Sequence, residues 1–313
     1  MSPAAARHWP PAKPANTVCD RSAAGRPPDC EDTTIAETLP TPDPAEVLNA
    51  TVVARHDLNA YLSIVHVRPD SGAVPAFEPG QFATLGLPRP PRDEEIALLR
   101  AHGKQPRVRL VRRAYSIASA PTARDSLELF VILVQEGKLT PRLWEIEQGG
   151  RIWMSDEIKG EFTLAPVPPG RDLVMVSTGT GLAPFLSMYR TYRGTGRWRR
   201  FVLVHGVRQV DDLGYRAELE ATAATDPDFH YIPIVSRATA ADGWTGLHGR
   251  VQVLLDGDTY SRRVGAPLDP ATCHVYLCGN PAMIDDMHAA LEKRGFRAHS
   301  RQAPGNIHFE RYW

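Results

Sequence analysis

The hydrophobic pattern of the sequence changes at one proline-rich run, and this change most constrains the fold. The run, residues 165–170, contains three prolines and a glycine. Before it, short segments alternate apolar and polar residues, whereas after it near-continuous apolar runs alternate with helical patterns. Alternation predicts antiparallel strands with one buried face, and apolar strands separated by helices predict a parallel sheet. We therefore expect two domains, residues 47–165 and 171–313, joined by a stiff linker at 166–170.

The first domain is predicted to be an antiparallel six-stranded β-barrel, because six short strands follow one another with Gly and Pro turns between them. The predicted strands are 50–55, 61–68, 81–87, 114–119, 127–134 and 151–158. One helix is expected at 140–147, with Thr140 as N-cap and Pro141 at the first helical position. Residues 88–112 are rich in Arg, Lys and Pro and indicate a surface excursion.

The second domain is predicted to be an α/β fold with a doubly wound parallel sheet. Its expected strands are 173–176, 201–204, 231–235 and 275–277, and its expected helices lie near 182–193, 213–224 and 281–294. The preceding residues, 1–46, are rich in proline and alanine without apolar periodicity, which indicates a disordered leader.

Charge and cysteine content narrow the class of protein further. Lys and Arg together number 36, as do Asp and Glu, so the formal net charge is zero and nothing favours a nucleic-acid partner. No apolar run is long enough to span a membrane. The four cysteines follow no zinc, iron–sulfur or disulfide pattern, so we expect no bound metal and a cytoplasmic location.

The sharpest motif is the glycine-containing turn formed by Thr178, Gly179, Thr180 and Gly181. It follows an apolar strand and opens a helix. Glycines at this point let backbone N–H groups approach a pyrophosphate, which then lies at the positive end of the helix dipole. The third glycine of the usual fingerprint is replaced by Pro184, so a plain strand-to-helix turn stays an alternative.

The choice of coenzyme is argued from charges that follow the predicted strands. Arg208, the pair Ser236–Arg237, and Arg250 lie beyond strand ends, where guanidinium groups suit a 2′-phosphate. Asp211 and Asp212 oppose this interpretation, because a carboxylate near the ribose is typical of NAD sites. The balance favours NADP, with solvated surface arginines as the alternative.

The barrel carries two further elements that can hold an anion or a ring. Arg113, Tyr115 and Ser116 offer a cation, an aromatic face and a hydroxyl within four residues, although an ordinary amphipathic strand fits them too. Residues 137–143 form a helix start that can hold phosphate. Together they favour a flavin as the second dinucleotide.

These motifs, taken in order, resemble the bacterial type of ferredoxin–NADP reductase. The resemblance covers roughly residues 48–313 and rests on the motifs at 113–116, 137–143, 179–185, 278–281 and 310–313. It implies that the protein binds FAD and NADP(H) and exchanges electrons with an acidic one-electron carrier, ferredoxin or flavodoxin. We expect a monomer. The alternatives are an NAD(P)H-dependent flavin or oxygenase reductase on the same scaffold, and a non-catalytic docking protein that keeps the fold.

The resemblance also implies a role for individual residues. The residues implied for FAD are Arg113, Tyr115, Ser116, Val131, Leu133, Val134, Thr140, Tyr312 and Trp313. Those implied for NADP are Thr178, Gly179, Thr180, Gly181, Arg208, Ser236, Arg237, Arg250, Cys278, Gly279 and Asn280. Those implied for the reaction itself are Ser116, Cys278, Glu310 and Tyr312, with the tyrosine covering the flavin until nicotinamide enters.

Overall fold

The computed structural model describes residues 43–89, 92–104 and 108–312, all of which belong to one compact unit, Thr41–Trp313. The predicted leader lies almost wholly outside the described residues. The first half of the unit contains six strands. They are β1 (Ala50–Asn59), β2 (Leu62–Pro69), β3 (Phe82–Arg89), β4 (Arg109–Ser116), β5 (Leu127–Ile132) and β6 (Arg151–Met154).

These six strands form an antiparallel barrel in the order β4-β3-β6-β1-β2-β5. The two outer strands close on each other through a bridge between Ile117 and Leu129, and the Ala118 amide donates to the Glu128 carbonyl at 2.8 Å. Alternating side chains point inward and build one apolar core. The predicted barrel is confirmed.

The second half contains six strands and four of the helices. The strands are β7 (Asp172–Thr178), β8 (Arg200–Val207), β9 (Phe229–Val235), β10 (Leu247–His248), β11 (Cys273–Gly279) and β12 (Ile307–Arg311). The helices are α3 (Ala183–Tyr192), α4 (Arg216–Thr225), α5 (Thr259–Val264) and α6 (Pro281–Glu292), following α1 (Asp93–Ala101) and α2 (Thr140–Trp144) in the first half.

All six of these strands are parallel, in the order β10-β9-β8-β7-β11-β12. The first six residues of β7 are buried, as expected of a strand covered on both faces. The chain leaves β7 toward β8 on one side and later returns to β11 on the other. A crevice therefore opens at the carboxyl ends of β7 and β11, where open α/β sheets bind ligands.

Several boundaries differ from the sequence prediction. The excursion predicted at 88–112 is shorter, because β3 continues to Arg89 and β4 begins at Arg109; between them α1 buries none of its residues. The prediction of Thr140 as N-cap is wrong, since the structure has Leu139 at that position and begins the helix at Thr140. The last strand, β12, was not predicted.

The proline-rich run also packs differently from a spacer in solvent. The side chain of Val167 is buried in the same apolar cluster as Leu164 and Leu173, so the run lies against the core. The domain limits at 165 and 171 stay a prediction. No helix in the described part of the chain is long and apolar enough to cross a membrane.

Candidate active site

Four side chains predicted for the reaction meet where the barrel touches the parallel sheet. Ser116 ends β4, Cys278 lies near the end of β11, and Glu310 lies opposite Cys278 in the parallel register of β12. The hydroxyl of Ser116 donates to Glu310 Oε2 at 3.3 Å. The hydroxyl of Tyr312 lies beside Ser116 and Cys278. We call Ser116, Cys278, Glu310 and Tyr312 the reaction cluster.

Burial sets the protonation of the reaction cluster. It raises the pKa of Glu310 to about 7, against a smaller opposite effect of the Ser116 hydrogen bond. Burial also raises the pKa of the Cys278 thiol and of the Tyr312 hydroxyl well above their ordinary values. The cluster therefore contains a neutral thiol and a neutral phenol, with a carboxyl group that holds a proton near neutral pH.

The predicted glycine turn interlocks with the backbone that follows β11. A Cβ at Gly181 would lie 2.4 Å from the Cys278 carbonyl oxygen, so no larger residue fits there. Gly279, at φ +127°, faces Thr178, whose Oγ1 would be 2.3 Å from an added Cβ. The same Thr178 oxygen accepts a hydrogen bond from the Asn280 amide at 2.9 Å. The structure thus brings the two predicted coenzyme motifs into direct contact.

Two helices begin at this junction. Asn280 is the N-cap of α6, and its side chain accepts from the amides of Ala282 at 2.9 Å and Met283 at 3.4 Å. The turn from Gly179 to Leu182 is a 3₁₀ helix that continues into α3, and Thr180 within it is buried. Both helix starts therefore point their amide groups toward the crevice.

The arginines predicted for the 2′-phosphate lie at the ends of neighbouring strands. Arg208 follows β8, Arg237 follows β9, and the Arg237 amide donates to the Arg208 carbonyl at 2.9 Å. Arg250 follows β10, while the Ser236 hydroxyl donates to the Val207 carbonyl at 3.1 Å. We call Arg208, Arg237 and Arg250 the arginine cluster. All three are exposed, and within the described part of the chain no ion pair involves them.

The barrel residues predicted to bind FAD differ from one another in burial and in the groups that they contact. Val131 is buried in the barrel core, whereas Leu133 and Val134 follow β5 and Val134 is 44% exposed. The Thr140 hydroxyl bonds the backbone of Val134, accepting from its amide at 3.0 Å and donating to its carbonyl at 3.1 Å. Thr140 therefore stabilises the loop that leads to α2 rather than capping the helix. Trp313 lies outside the described residues.

Tyr115 and Arg113 have the features that a bound flavin requires. The ring of Tyr115 packs partly against the barrel core, and burial raises the pKa of its hydroxyl to about 12. That hydroxyl is buried and has no hydrogen-bond partner among the described residues, which is unfavourable unless a ligand supplies one. Arg113 is exposed and within electrostatic reach of Tyr115. Both side chains fit a ring carrying a phosphate.

Comparisons with known proteins identify the family of the chain. Residues 175–289 match the family model described as an oxidoreductase NAD-binding domain. The flavodoxin/ferredoxin–NADP reductase of Escherichia coli (strain K12) is 34% identical over 239 residues, 76% of this chain and 88% of that protein. The ferredoxin–NADP reductase of Azotobacter vinelandii is 32% identical over 75% of this chain and 86% of its own length. The chain belongs to the flavodoxin/ferredoxin–NADP reductase family.

A solved structure supports the same conclusion for the fold. The ferredoxin NADP⁺ reductase of Neisseria gonorrhoeae, crystallised with bound FAD and NADP, superposes with a TM-score of 0.71 and 28% identity. The match covers 84% of this chain and 97% of that one. The comparison therefore spans both the barrel and the parallel sheet of this ferredoxin–NADP reductase family member.

Sequence reasoning missed one buried residue beside the glycine turn of this reductase. His205 on β8 is fully buried; its Nε2 lies 3.2 Å from the Gly179 carbonyl oxygen and its Nδ1 lies 3.4 Å from the Tyr231 hydroxyl. Burial lowers the pKa of His205 to about 4, so the ring is neutral and can donate to Gly179 from Nε2. The only signal in the sequence was a histidine directly after the apolar run 201–204.

The structure changes the significance of Asp212 for the choice of coenzyme. The sequence predicts a carboxylate near the ribose, and in the structure this carboxylate is buried and accepts from the Tyr61 hydroxyl at 2.6 Å and from the Gln209 amide at 3.0 Å. Asp211 is exposed. This weakens one of the two objections to NADP, because the carboxylate is buried and both of its oxygens already accept hydrogen bonds within the protein.

Proposed function

We propose that the protein binds FAD and exchanges electrons between NADP(H) and a one-electron carrier of the ferredoxin or flavodoxin type. The observation that carries this proposal is the reaction cluster, in which Ser116 of the barrel meets Cys278 and Glu310 of the parallel sheet. A site shared by the two halves suits a reaction between two dinucleotides, one held by each half. Membership of the reductase family supports the same function.

The proposed FAD site uses the barrel side of the crevice. Tyr115 stacks on the flavin ring, with its buried hydroxyl given a partner, and the exposed Arg113 pairs with the pyrophosphate. Ser116, Leu133, Val134 and the aromatic side chains at 312 and 313 complete the site. When bound, FAD supplies the chemistry that accepts two electrons together and passes them on singly.

The proposed NADP site lies along the carboxyl ends of the parallel strands. Gly179 and Gly181, with Thr178 and Thr180, hold the pyrophosphate at the start of α3. The arginine cluster and Ser236 hold the 2′-phosphate. Cys278, Gly279 and Asn280 then lie near the nicotinamide.

Glu310 is proposed to hold and release a proton at the reaction cluster. With a pKa of about 7, its carboxyl group exists in both protonation states near neutral pH. Ser116 donates to Glu310 and lies on the barrel side, so it can pass a proton between Glu310 and a group bound against β4. Tyr312 shields this point from water while the nicotinamide is absent.

The carrier is proposed to be acidic and to dock on a basic face near α1. Several arginines close together in the sequence form ion pairs in the structure: Arg199 and Arg200 pair with the buried Asp172, and Arg190 pairs with Glu128 and Glu218. These arginines stabilise the fold. Arg100 and Lys104 at the end of α1 are exposed and have no ion pair within the described residues, so they attract an acidic partner in a salt-dependent manner.

The proposal also covers the location of the protein and its oligomeric state. The two cysteines in the described part of the chain, Cys273 and Cys278, are buried free thiols, in keeping with a cytoplasmic location. We propose a monomer because every residue of the proposed site belongs to one chain. Size-exclusion chromatography with light scattering tests that state.

The coenzyme assignment is tested by steady-state diaphorase assays with NADPH and NADH. We expect the wild type to prefer NADPH, and the R237A/R250A variant to lose about 100- to 1000-fold in kcat/KM for NADPH only, because two charge-assisted phosphate contacts disappear. R68A/R263A is the matched control, since it removes two exposed arginines elsewhere. Preference for NADPH that survives R237A/R250A would refute the proposed phosphate site.

The flavin and the carrier are tested separately. A purified protein that shows no flavin spectrum and takes up no FAD would contradict the proposed function as a whole. With FAD bound, the rate of NADPH-dependent reduction is compared for ferredoxin, flavodoxin and free FMN. Faster reduction of free FMN than of either protein carrier would favour a flavin reductase instead.

A further inference from the structure

The turn between β1 and β2 reaches from the barrel to the loop that carries Arg208. The Tyr61 hydroxyl donates to Asp212 Oδ1 at 2.6 Å, and Asn59 Nδ2 donates to the same oxygen at 3.2 Å. The other carboxylate oxygen, Oδ2, accepts from the Gln209 amide at 3.0 Å. We call Asn59, Tyr61, Gln209 and Asp212 the clamp. It joins the two halves of the molecule at the edge of the proposed coenzyme site.

Both ends of the clamp continue into proposed binding elements. On the barrel side, the Leu133 amide donates to the Tyr61 carbonyl at 2.8 Å, so the tyrosine is held by the segment proposed to line the flavin. On the other side, Gln209 directly follows Arg208, whose carbonyl accepts from the Arg237 amide at 2.9 Å. A displacement of Asp212 would therefore move the backbone on which Arg208 stands.

The clamp also decides what Asp212 can do to a coenzyme. A free carboxylate at this place would bond the ribose hydroxyls of NAD and repel a 2′-phosphate. Asp212 is instead only 8% exposed, with both oxygens bonded inside the protein. The shortest of these bonds is the one that the Tyr61 hydroxyl, on the barrel, donates to Asp212. The hydrogen bond to Asp212 raises the pKa of Tyr61 to about 12, so the hydroxyl stays protonated and remains a donor near neutral pH.

We propose that Tyr61 is a positioning residue for coenzyme selectivity: by holding Asp212 it fixes the Arg208 loop for the 2′-phosphate and withholds the carboxylate from the ribose. This inference rests on the proposed NADP site. Tyr61 acts through Asp212 and the backbone at Gln209 rather than by binding the coenzyme itself.

The test is Tyr61→Phe, which keeps the ring and removes only the hydroxyl. We expect the ratio of kcat/KM for NADPH to that for NADH to fall about 3- to 10-fold, a factor of the size of one ordinary hydrogen bond. The change is in KM for NADPH, with kcat and FAD content as in the wild type. The Kd of 2′,5′-ADP rises by the same factor, whereas that of 5′-AMP, which lacks the 2′-phosphate, is unchanged.

Tyr192→Phe is the matched control, because Tyr192 is the last residue of α3, packs on Trp198 at a ring-centroid distance of 4.7 Å and is not part of the clamp. Asn59→Ala, which leaves the shorter Tyr61 bond in place, is expected to give a smaller change in the same direction. Hydrogen exchange at the Gln209 amide reports directly on the clamp and should accelerate in Tyr61→Phe.

Two results would overturn the inference in different ways. If Tyr61→Phe accelerates exchange at Gln209 yet keeps wild-type selectivity and 2′,5′-ADP affinity, the clamp is only structural and the inference fails while the proposed function stands. If the wild type itself uses NADH as well as NADPH, the proposed coenzyme assignment fails and the inference falls with it.

Discussion

The reaction cluster and the arginine cluster lie at the carboxyl ends of strands of the same parallel sheet, but they differ in solvent exposure. In the reaction cluster burial governs the chemistry, raising the pKa of Glu310 to about 7. In the arginine cluster, Arg208, Arg237 and Arg250 are exposed. A buried site responds to proton concentration and to packing, whereas an exposed cationic site responds to salt. One sheet edge thus carries the proposed hydride-transfer site and the proposed 2′-phosphate site, which should respond to different conditions.

The largest effect expected of a single substitution tests how closely the glycine turn packs against β11 beside the buried reaction cluster. Gly181→Ala would force a Cβ to 2.4 Å from the Cys278 carbonyl oxygen. We expect the free energy of unfolding to fall by about 1–3 kcal/mol and kcat/KM for NADPH to fall about 100-fold, because the glycine turn moves away from β11. Chemical denaturation and steady-state kinetics measure the two quantities.

Gly194→Ala serves as the control for Gly181→Ala. Gly194 has φ +72° with open space around it, so alanine there costs about 1 kcal/mol of backbone strain. It lies in the turn after α3, outside the proposed site, and its kinetics should match the wild type. Equal kinetics in the two variants would mean that the contact between the turn and β11 is not required for catalysis.

The next effect concerns the proton on Glu310. Its pKa rises from an ordinary 4.5 to about 7 on folding, so the folded protein binds more protons than the unfolded chain between those values. Stability should therefore decrease as the pH rises through this window, by at most about 3 kcal/mol. Glu310→Gln should lose that dependence. Urea unfolding at about pH 5 and about pH 8 gives the measurement.

Glu145→Gln is the matched control for this experiment, because Glu145 is an exposed carboxylate just beyond α2. It should keep the pH dependence of the wild type. A wild type and a Glu310→Gln variant whose stabilities change with pH in parallel would show that the Glu310 carboxyl is solvated, and the contrast between the two clusters would then disappear.

The smallest expected effect concerns the exposed arginine cluster. Arg250→Ala should raise KM for NADPH about 10-fold at low ionic strength and only about 3-fold at high ionic strength, because salt screens an exposed charge. KM for NADH should stay constant throughout. The control Arg263→Ala should match the wild type at every salt concentration. An Arg250→Ala effect that is independent of salt would place this guanidinium in a buried pairing instead.

Sequence patterns predicted the parts of the fold that depend on neighbouring residues. Alternation and apolar runs predicted the barrel and the strands β7, β8, β9 and β11, and the glycine turn predicted the start of α3. The strand β12 escaped prediction because its register with β11 depends on a distant partner. The N-cap at Thr140 was wrong because the Thr140 hydroxyl bonds Val134, six residues earlier.

The residues of the candidate site show the same difference between features set by neighbouring residues and features set by distant contacts. Local motifs were enough to select Gly181, Cys278 and Arg250 as candidates. They could not identify His205, which is defined by contacts with Gly179 and Tyr231, nor the clamp, whose halves lie about 150 residues apart in the chain. Separation along the chain also hid the ion pairs of Arg190 with Glu128 and of Arg199 with Asp172.

By itself the sequence determined the two hydrophobic periods, the glycine positions and the places of charge, because each is a property of adjacent residues. Only the tertiary structure decided which of those charges are available. Asp212 is bonded within the clamp, Glu310 holds a proton near neutral pH, and Arg250 remains free of ion pairs among the described residues. The physical reason is that desolvation and pairing depend on atoms brought together from distant segments, and no local pattern records them.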